Sequence, residues 1–249
     1  MSCDELIQWP KAKWWEKDWN PIIGCHKVSP ACENCWAFEW AKRFNQSFEP
    51  HKSSKKKPPK SGVVFVGGLT DMFGEFNDSP MDAIGKTAKS ANRDATYIYL
   101  TKRVDRMCSV LGSIAIGEPY TNPEVFRNHY FGFTAENQEW YDRRIKNAYI
   151  FPRWANGWVS CEPLLGSINL HLQKDQNVKA RTKLVVVGCE SGSNRRPCKV
   201  EWVESIVEQC RSADVPVFVK QLDIGGKCVT DITKFPAHLR IRQVPWLND

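Results

Sequence analysis

Six short runs of β-branched, aliphatic or aromatic residues, each breaking off in polar side chains, constrain this chain more than any other feature. "VVFVGGLTD" ends at Thr70 and Asp71, "TYIYLTKR" at Thr101, Lys102 and Arg103, and "YFGFTAENQ" at Thr134, Glu136 and Asn137. "GWVSCEP" ends at Glu162, "LVVVGCESG" at Glu190 and Ser191, and "VPVFVKQ" at Lys220 and Gln221. Between several of them, Pro80 to Ser90, Glu136 to Ala148 and Val200 to Arg211 carry apolar residues at helical spacing. Strands alternating with helices predict an α/β fold around a parallel sheet, either open and doubly wound or curled toward a barrel. Runs such as "LVVV", which do not alternate, suit strands buried on both faces. In either architecture ligands bind beyond the carboxyl ends of the strands, where these polar groups fall. Contact with solvent explains polarity at any one strand end; six together predict a lined cavity.

A chain of 249 residues with 42% apolar content can fill the core of one such domain, so a single domain over 1–249 is expected. No run of eighteen apolar residues occurs, and the N-terminal "MSCDELIQWPKAKWW" lacks the apolar segment of a signal peptide. These features predict a protein of the cytoplasm, without a membrane partner. There, clustered cysteines serve as metal ligands or reactive thiols more often than as disulfides.

The net charge of +7 owes much to "EPHKSSKKKPPKSG", residues 49–62, which holds Lys52, Lys55, Lys56, Lys57 and Lys60 against one glutamate. Pro, Ser and Lys in this mixture do not pack a core, which predicts a mobile surface loop. Two roles fit it: a solvated insertion, or a contact to the phosphates of a nucleic acid.

Three of the ten cysteines fall in "NPIIGCHKVSPACENCWAFEW": Cys25, Cys32 and Cys35, spaced C-x6-C-x2-C. "WNPIIG" reads as the strand that opens the sheet, the cysteines as the loop leaving its carboxyl end. "AFEWAKRF" reads as a helix with Phe38 and Trp40 through Phe44 partly buried. A structural zinc ion takes four protein ligands. His26 is a poor fourth, since adjacent residues rarely point at one metal. A cubane cluster uses one thiolate per iron, so three thiolates leave one iron open. Iron–sulfur is the favoured reading, and zinc stays open. Cys3, Cys108, Cys161, Cys189, Cys198, Cys210 and Cys228 read mostly as small buried hydrophobes.

A three-cysteine loop after the first strand of a parallel α/β fold resembles the radical S-adenosylmethionine (SAM) enzymes. Their commonest spacing is C-x3-C-x2-C, with an aromatic residue before the last cysteine. Here the first gap is six residues, Asn34 precedes Cys35, and Trp36 follows it. The ordered set "NPIIGCHKVSPACENCWA", "LTDMF", "LTKR", "TAENQ", "SCEPLLG", "GCESG…RRP" and "FVKQ" is similar to a phage-associated radical-SAM-like family. The resemblance implies a partial (β/α) TIM-like barrel, a [4Fe-4S] cluster on Cys25, Cys32 and Cys35, and SAM on the open iron. It also implies an external flavodoxin- or ferredoxin-like electron donor, and the host-cell cytoplasm if the chain is phage-encoded. The cofactor then carries the chemistry, a 5′-deoxyadenosyl radical that removes a substrate hydrogen, while the protein supplies position and electrostatics.

On that reading, Gly67 and Gly68 let backbone approach SAM, with Thr70 and Asp71 close by. Glu136, Asn137 and Glu162 are candidates for its ribose hydroxyls, and Trp36 for an adenine contact. Lys102, Glu190 and Lys220 are candidate catalytic residues. Ser191 stands beside Glu190, and Arg103 and Arg196 are further cations for a substrate carboxylate or phosphate. The competing account of every such charge is an ion pair spanning two strand ends.

Trp9, Trp14, Trp15, Trp19, Trp36 and Trp40 crowd the first forty residues. They are expected in the core, Trp36 excepted, although exposed aromatics beside lysines also stack on unpaired bases. The resemblance and the charge together suggest a DNA substrate carrying a modified thymine, and an isomerase acting on an amino-acid-decorated (glycyl) thymine. Radical modification or repair of another nucleotide or RNA base is a second reading. A non-catalytic, zinc-stabilised nucleic-acid-binding module is a third.

Overall fold

The computed structural model describes residues 8–54, 57–77, 80–90, 94–116, 123–148, 152, 155–172 and 176–247. Cys3, Lys55 and Lys56 lie outside the described residues. The chain is mixed α/β and forms two compact units. One, the thiol-loop unit, comprises Trp15–Phe133 and Arg144–Asn156; the other, the terminal unit, draws on Met1–Trp14, Thr134–Arg143 and Gly157–Asp249.

In the thiol-loop unit, β1 (Lys17–Trp19), β4 (Gly62–Val66), β5 (Ala95–Thr101) and β6 (His129–Thr134) lie side by side in that order, all parallel. Parallel neighbours need crossovers, supplied here by α2 (Pro80–Ser90) and α3 (Val104–Ile116). Val64, Val66, Tyr97, Tyr99 and Phe131 are buried, and the Tyr99 and Phe131 rings stack at 5.0 Å. A small polar network crosses this core. Thr87 Oγ1 donates to the Ile84 carbonyl and stands 2.7 Å from the Tyr99 hydroxyl and 3.1 Å from His129 Nε2. Complete burial drives the His129 pKa down to about 3, so the ring is neutral.

Two expectations for this unit need correction. The sheet opens with Lys17–Trp19 and not with "WNPIIG"; β2 (Ile22–Ile23) pairs instead with β3 (His51–Lys52), antiparallel, in a separate ribbon. Asn20 and Pro21, which interrupt the run, end β1 before the isoleucines are reached. The lysine-rich segment is also more than a free loop. It begins as β3, buries Pro58, and offers the Pro59 carbonyl to the Tyr97 hydroxyl at 2.7 Å.

In the terminal unit, β7 (Asn156–Cys161), β8 (Thr182–Gly188) and β9 (Val217–Ile224) run parallel. β10 (Lys227–Val229) returns antiparallel along β9 through Gly225 and Gly226, both at positive φ (56° and 73°), as a two-residue hairpin turn requires. α4 (Gln138–Ala148), which begins in this unit, follows Asn137, whose Oδ1 accepts from the Trp140 amide as a helix cap. α5 (Gln176–Arg181) leads into β8, and α6 (Val200–Ala213) buries Val203, Ile206, Val207 and Cys210. Segments far apart in sequence, Gln8–Trp9 and Arg242, meet here. The Trp9 amide donates to the Arg242 carbonyl, and the Arg242 amide to Gln8 Oε1, each at 2.7 Å. Trp14 packs edge-on against Trp158 and stacks on Trp246.

Candidate functional site

The cysteine loop follows β2 and is held to the carboxyl end of β4. The Gly24 amide donates to the Leu69 carbonyl at 3.0 Å, and Thr70 Oγ1 donates to the Gly24 carbonyl at 2.6 Å. Gly24 is required there: its φ is 99°, and a Cβ would stand 2.5 Å from the Glu49 carbonyl oxygen. The Cys25 amide then reaches the Phe48 carbonyl. A short 3-10 turn, Pro30–Cys32, brings Cys32 inside, and Cys35 stands as the N-terminal cap of α1 (Trp36–Arg43). Cys25 and Cys35 are half-buried, and none of the described cysteines forms a disulfide.

Asp71 organises the floor beneath this loop. Its Oδ1 accepts from Thr101 Oγ1 (2.6 Å) and the Phe73 amide (3.1 Å), its Oδ2 from the Lys102 amide (3.0 Å) and Arg103 Nη1 (3.1 Å). Arg103 in turn donates through Nη2 to the His26 carbonyl and lies over the Phe76 ring. The pair is deeply set, with 10% of the Arg103 and 9% of the Asp71 side chain exposed. Burial, then Asp71, pushes the Cys25 pKa up to about 11, opposed by Arg103 and Lys102. Without a cation bound, Cys25 is a thiol at neutral pH. A metal or cluster must displace its proton.

Asp71 therefore joins the ends of β4 and β5, with its acceptor sites filled by the protein. Gly67 is likewise set by the fold. Its φ is 80°, and a Cβ would press on Met72 Cγ at 2.5 Å. A Cβ on Gly68 would meet only ordinary contacts. Lys102 contributes its amide to Asp71 and leaves its side chain half-buried.

Do these residues suit the cluster that the sequence suggests? Among the described residues, no group of three His, Cys, Asp or Glu side chains stands where it could hold one metal ion. A mononuclear site needs its donors around a single point. A cubane takes one thiolate per iron and so spreads its ligands. Three undisulfided thiols on one anchored loop are a donor set suited to the second arrangement.

α1 shows a further departure from expectation. Its apolar underside is Ala37 and Ala41, and the large aromatics face outward: Trp36 is 55% exposed, Trp40 38% and Phe44 57%. Four-residue spacing aligns these three along one side of the helix, with Lys42 and Arg43 exposed beside them. Phe38 alone packs inward, on Phe48. Trp14 and Trp19 do belong to the core.

In the terminal unit three carboxylates, Glu162, Glu190 and Asp223, each take their own cation. Glu162, after β7, meets Lys220 on β9, both partly exposed. Glu190, after β8, is buried and binds Arg196 through the amide (2.8 Å), Nε (2.9 Å) and Nη2, which folds the loop between them. Ser191 is exposed on that loop. Asp223 on β9 accepts from Arg195 Nη1 at 2.9 Å and from the Cys198 amide at 3.2 Å. Glu136 is fully buried, and its carbonyl accepts from the Leu165 amide. Asn137 is the cap of α4 already described.

Arg103 and Arg196, expected as cations, are joined in these networks by Thr101, Arg195 and Asp223, which the sequence does not mark as partners. Nothing in the sequence pairs Asp223 with Arg195, because 28 residues separate them.

A family model described as "Protein of unknown function (DUF5131)" matches residues 10–238. No curated protein and no solved structure matches the chain.

Proposed function

The chain belongs to the DUF5131 family of proteins of unknown function, and we propose that it is a radical SAM enzyme that rearranges or modifies a nucleobase. The observation that carries this reading is the loop of three undisulfided thiols, Cys25, Cys32 and Cys35, anchored through Gly24 to the carboxyl end of β4. In this reading those three residues hold a [4Fe-4S] cluster within a partial (β/α) barrel. Held there, the cluster would supply one-electron chemistry to a bound SAM.

The protein's own part is positional. Asp71 and Arg103 fix the floor under Cys25, and Thr70 fixes the loop's first hinge. Glu162 and Lys220 form an ion pair in which both side chains are partly exposed, whereas Glu190 and Asp71 are buried in theirs. Glu162 is accordingly assigned to SAM or substrate hydroxyls, and Lys220 to a substrate anion. The outward row Trp36, Trp40 and Phe44, with Lys42 and Arg43, favours a nucleic acid whose bases are unstacked. A modified thymine in DNA is the proposed target, its base leaving the stack to reach the site. Among the described residues no helix is long and apolar enough to cross a membrane. The proposed setting is the cytoplasm, with a flavodoxin- or ferredoxin-like electron donor.

Anaerobic purification tests the reading. A brown protein with about four iron and four sulfide per chain is expected. Cys25→Ala, Cys32→Ala and Cys35→Ala should each abolish the cluster, and Cys108→Ala should not. A colourless protein with stoichiometric zinc would overturn the proposal. Reaction with SAM and DNA carrying glycyl-thymine, followed by mass spectrometry of the nucleosides, tests the substrate.

A further inference from the structure

A second gathering of thiols lies in the terminal unit, around the carboxyl end of β9. Cys228, on β10, is paired across the hairpin with Asp223. Cys189, just past β8, bonds its amide to the Gln221 carbonyl at 3.2 Å and receives Gln221 Nε2 on its own carbonyl at 2.7 Å. Cys198 donates its amide to Asp223 Oδ2. The Cys189 and Cys228 thiols are hydrogen-bonded to each other, Cys189 fully buried and Cys228 half-exposed. Asp223 Oδ1 is buried and has no hydrogen-bond partner.

We propose that Cys228 and Cys189 form a redox-active dithiol, a modification site that a hydroperoxide oxidises to a disulfide. One thiol is reachable and the other sheltered, the arrangement of an attacking and a resolving sulfur. The hydrogen bond from Cys189 lowers the Cys228 pKa to about 7. Arg195 and Lys220 assist, against burial and Glu162. The same bond, then burial, drives Cys189 upward, with Cys198 and Asp223 adding to it. Cys228 is thus the more acidic thiol of the pair.

The steps balance. The Cys228 thiolate attacks one oxygen of hydrogen peroxide; the O–O bond breaks, the sulfur becomes a sulfenic acid, and hydroxide leaves to be protonated to water. The Cys189 sulfur then attacks that sulfenic sulfur. The S–S bond forms, the S–O bond breaks, and hydroxide leaves with the Cys189 proton as a second water. Two thiols lose two electrons and two protons, and the peroxide is reduced to two waters. Cys189, just past β8, and Cys228, on β10, flank the end of β9. Gly225 and Gly226, with open space at both Cβ positions, give the hairpin freedom to close.

Peptide mapping of the full chain, before and after one equivalent of hydrogen peroxide, tests the proposal. The expected product joins tryptic peptide 184–195, holding Cys189, to peptide 228–234, holding Cys228, two mass units lighter than the separate peptides and restored by dithiothreitol. Because the peptides of the Cys25–Cys35 loop are resolved separately, loss of any cluster there leaves this result readable. Iodoacetamide at pH 7 should label Cys228 about tenfold faster than Cys161 or Cys210 in the unoxidised protein. Cys189→Ser should leave oxidised Cys228 as a sulfenic acid that dimedone traps. A first disulfide to Cys198, labelling of Cys228 no faster than of the buried thiols, or no reaction with peroxide would each overturn the assignment.

Discussion

The two units meet one problem in different ways. Both carry acidic side chains at the carboxyl ends of parallel strands. In the thiol-loop unit a single carboxylate, Asp71, collects four donors from its own turn and from the turn after β5. In the terminal unit Glu162, Glu190 and Asp223 each take a separate cation. A shared centre holds a neighbouring loop rigidly, at the risk that one substitution undoes everything. Separate pairs are individually weaker, and the outermost can exchange its partner for a ligand.

That contrast predicts a graded series. Asp71→Ala strands the buried Arg103 and frees the turn after β5, so it should cost about 3–5 kcal/mol in urea unfolding. A loss under 1 kcal/mol would remove the idea of a shared centre. Glu190→Gln keeps shape but weakens charge-assisted bonds to Arg196, and about 2–3 kcal/mol is expected.

Acid separates the units next. Unfolded histidine titrates near 6.5 and folded His129 near 3. Between these values the unfolded chain binds a proton that the folded chain does not. The contribution is therefore fully present above about pH 6.5 and is lost as pH falls toward 3. It amounts to about 2 kcal/mol between pH 7 and 5. His129→Phe should flatten the acid limb of the stability profile by that amount, and an unchanged limb would place the acid sensitivity elsewhere.

The smallest effect belongs to the most open pair. Glu162→Gln or Lys220→Met should cost about 1 kcal/mol or less in stability. If Glu162 holds SAM, Glu162→Gln should weaken SAM binding roughly tenfold or more. A large stability loss with unchanged affinity would give Glu162 the same part as Asp71.

The strands were legible because parallel strands buried on both faces leave long β-branched runs, and all six became β4 to β9. α2 matched its expected bounds, with Pro80 in its first turn. β1 was missed because "KDW" is three residues with one apolar side chain. β10 was missed although Gly225–Gly226 was a readable hairpin signal. The outward aromatics of α1 defied prediction for a physical reason. A helix whose underside is alanine can pack closely without them. Among site residues, the polar strand ends were found but their partners were not. Asp71 meets Arg103 across 32 positions and Glu162 meets Lys220 across 58, pairings that only the folded backbone creates. Cys228 was read as an inert hydrophobe because nothing local marks a thiol whose partner lies 39 residues away, at Cys189.

The contact of Trp14 with Trp246 orders events during synthesis. β1, β4, β5 and β6, with the cysteine loop and its Asp71 floor, all precede residue 135. Residues 8–14 are made before any of them, yet their aromatic partners at 158 and 246 emerge later. At about 5–20 residues per second, Trp14 waits on the order of ten to fifty seconds for Trp246. Through that interval the nascent chain carries Trp14 without its aromatic partners, a natural substrate for a ribosome-associated chaperone. The thiol loop, by contrast, has the parts it needs to close while translation is still under way.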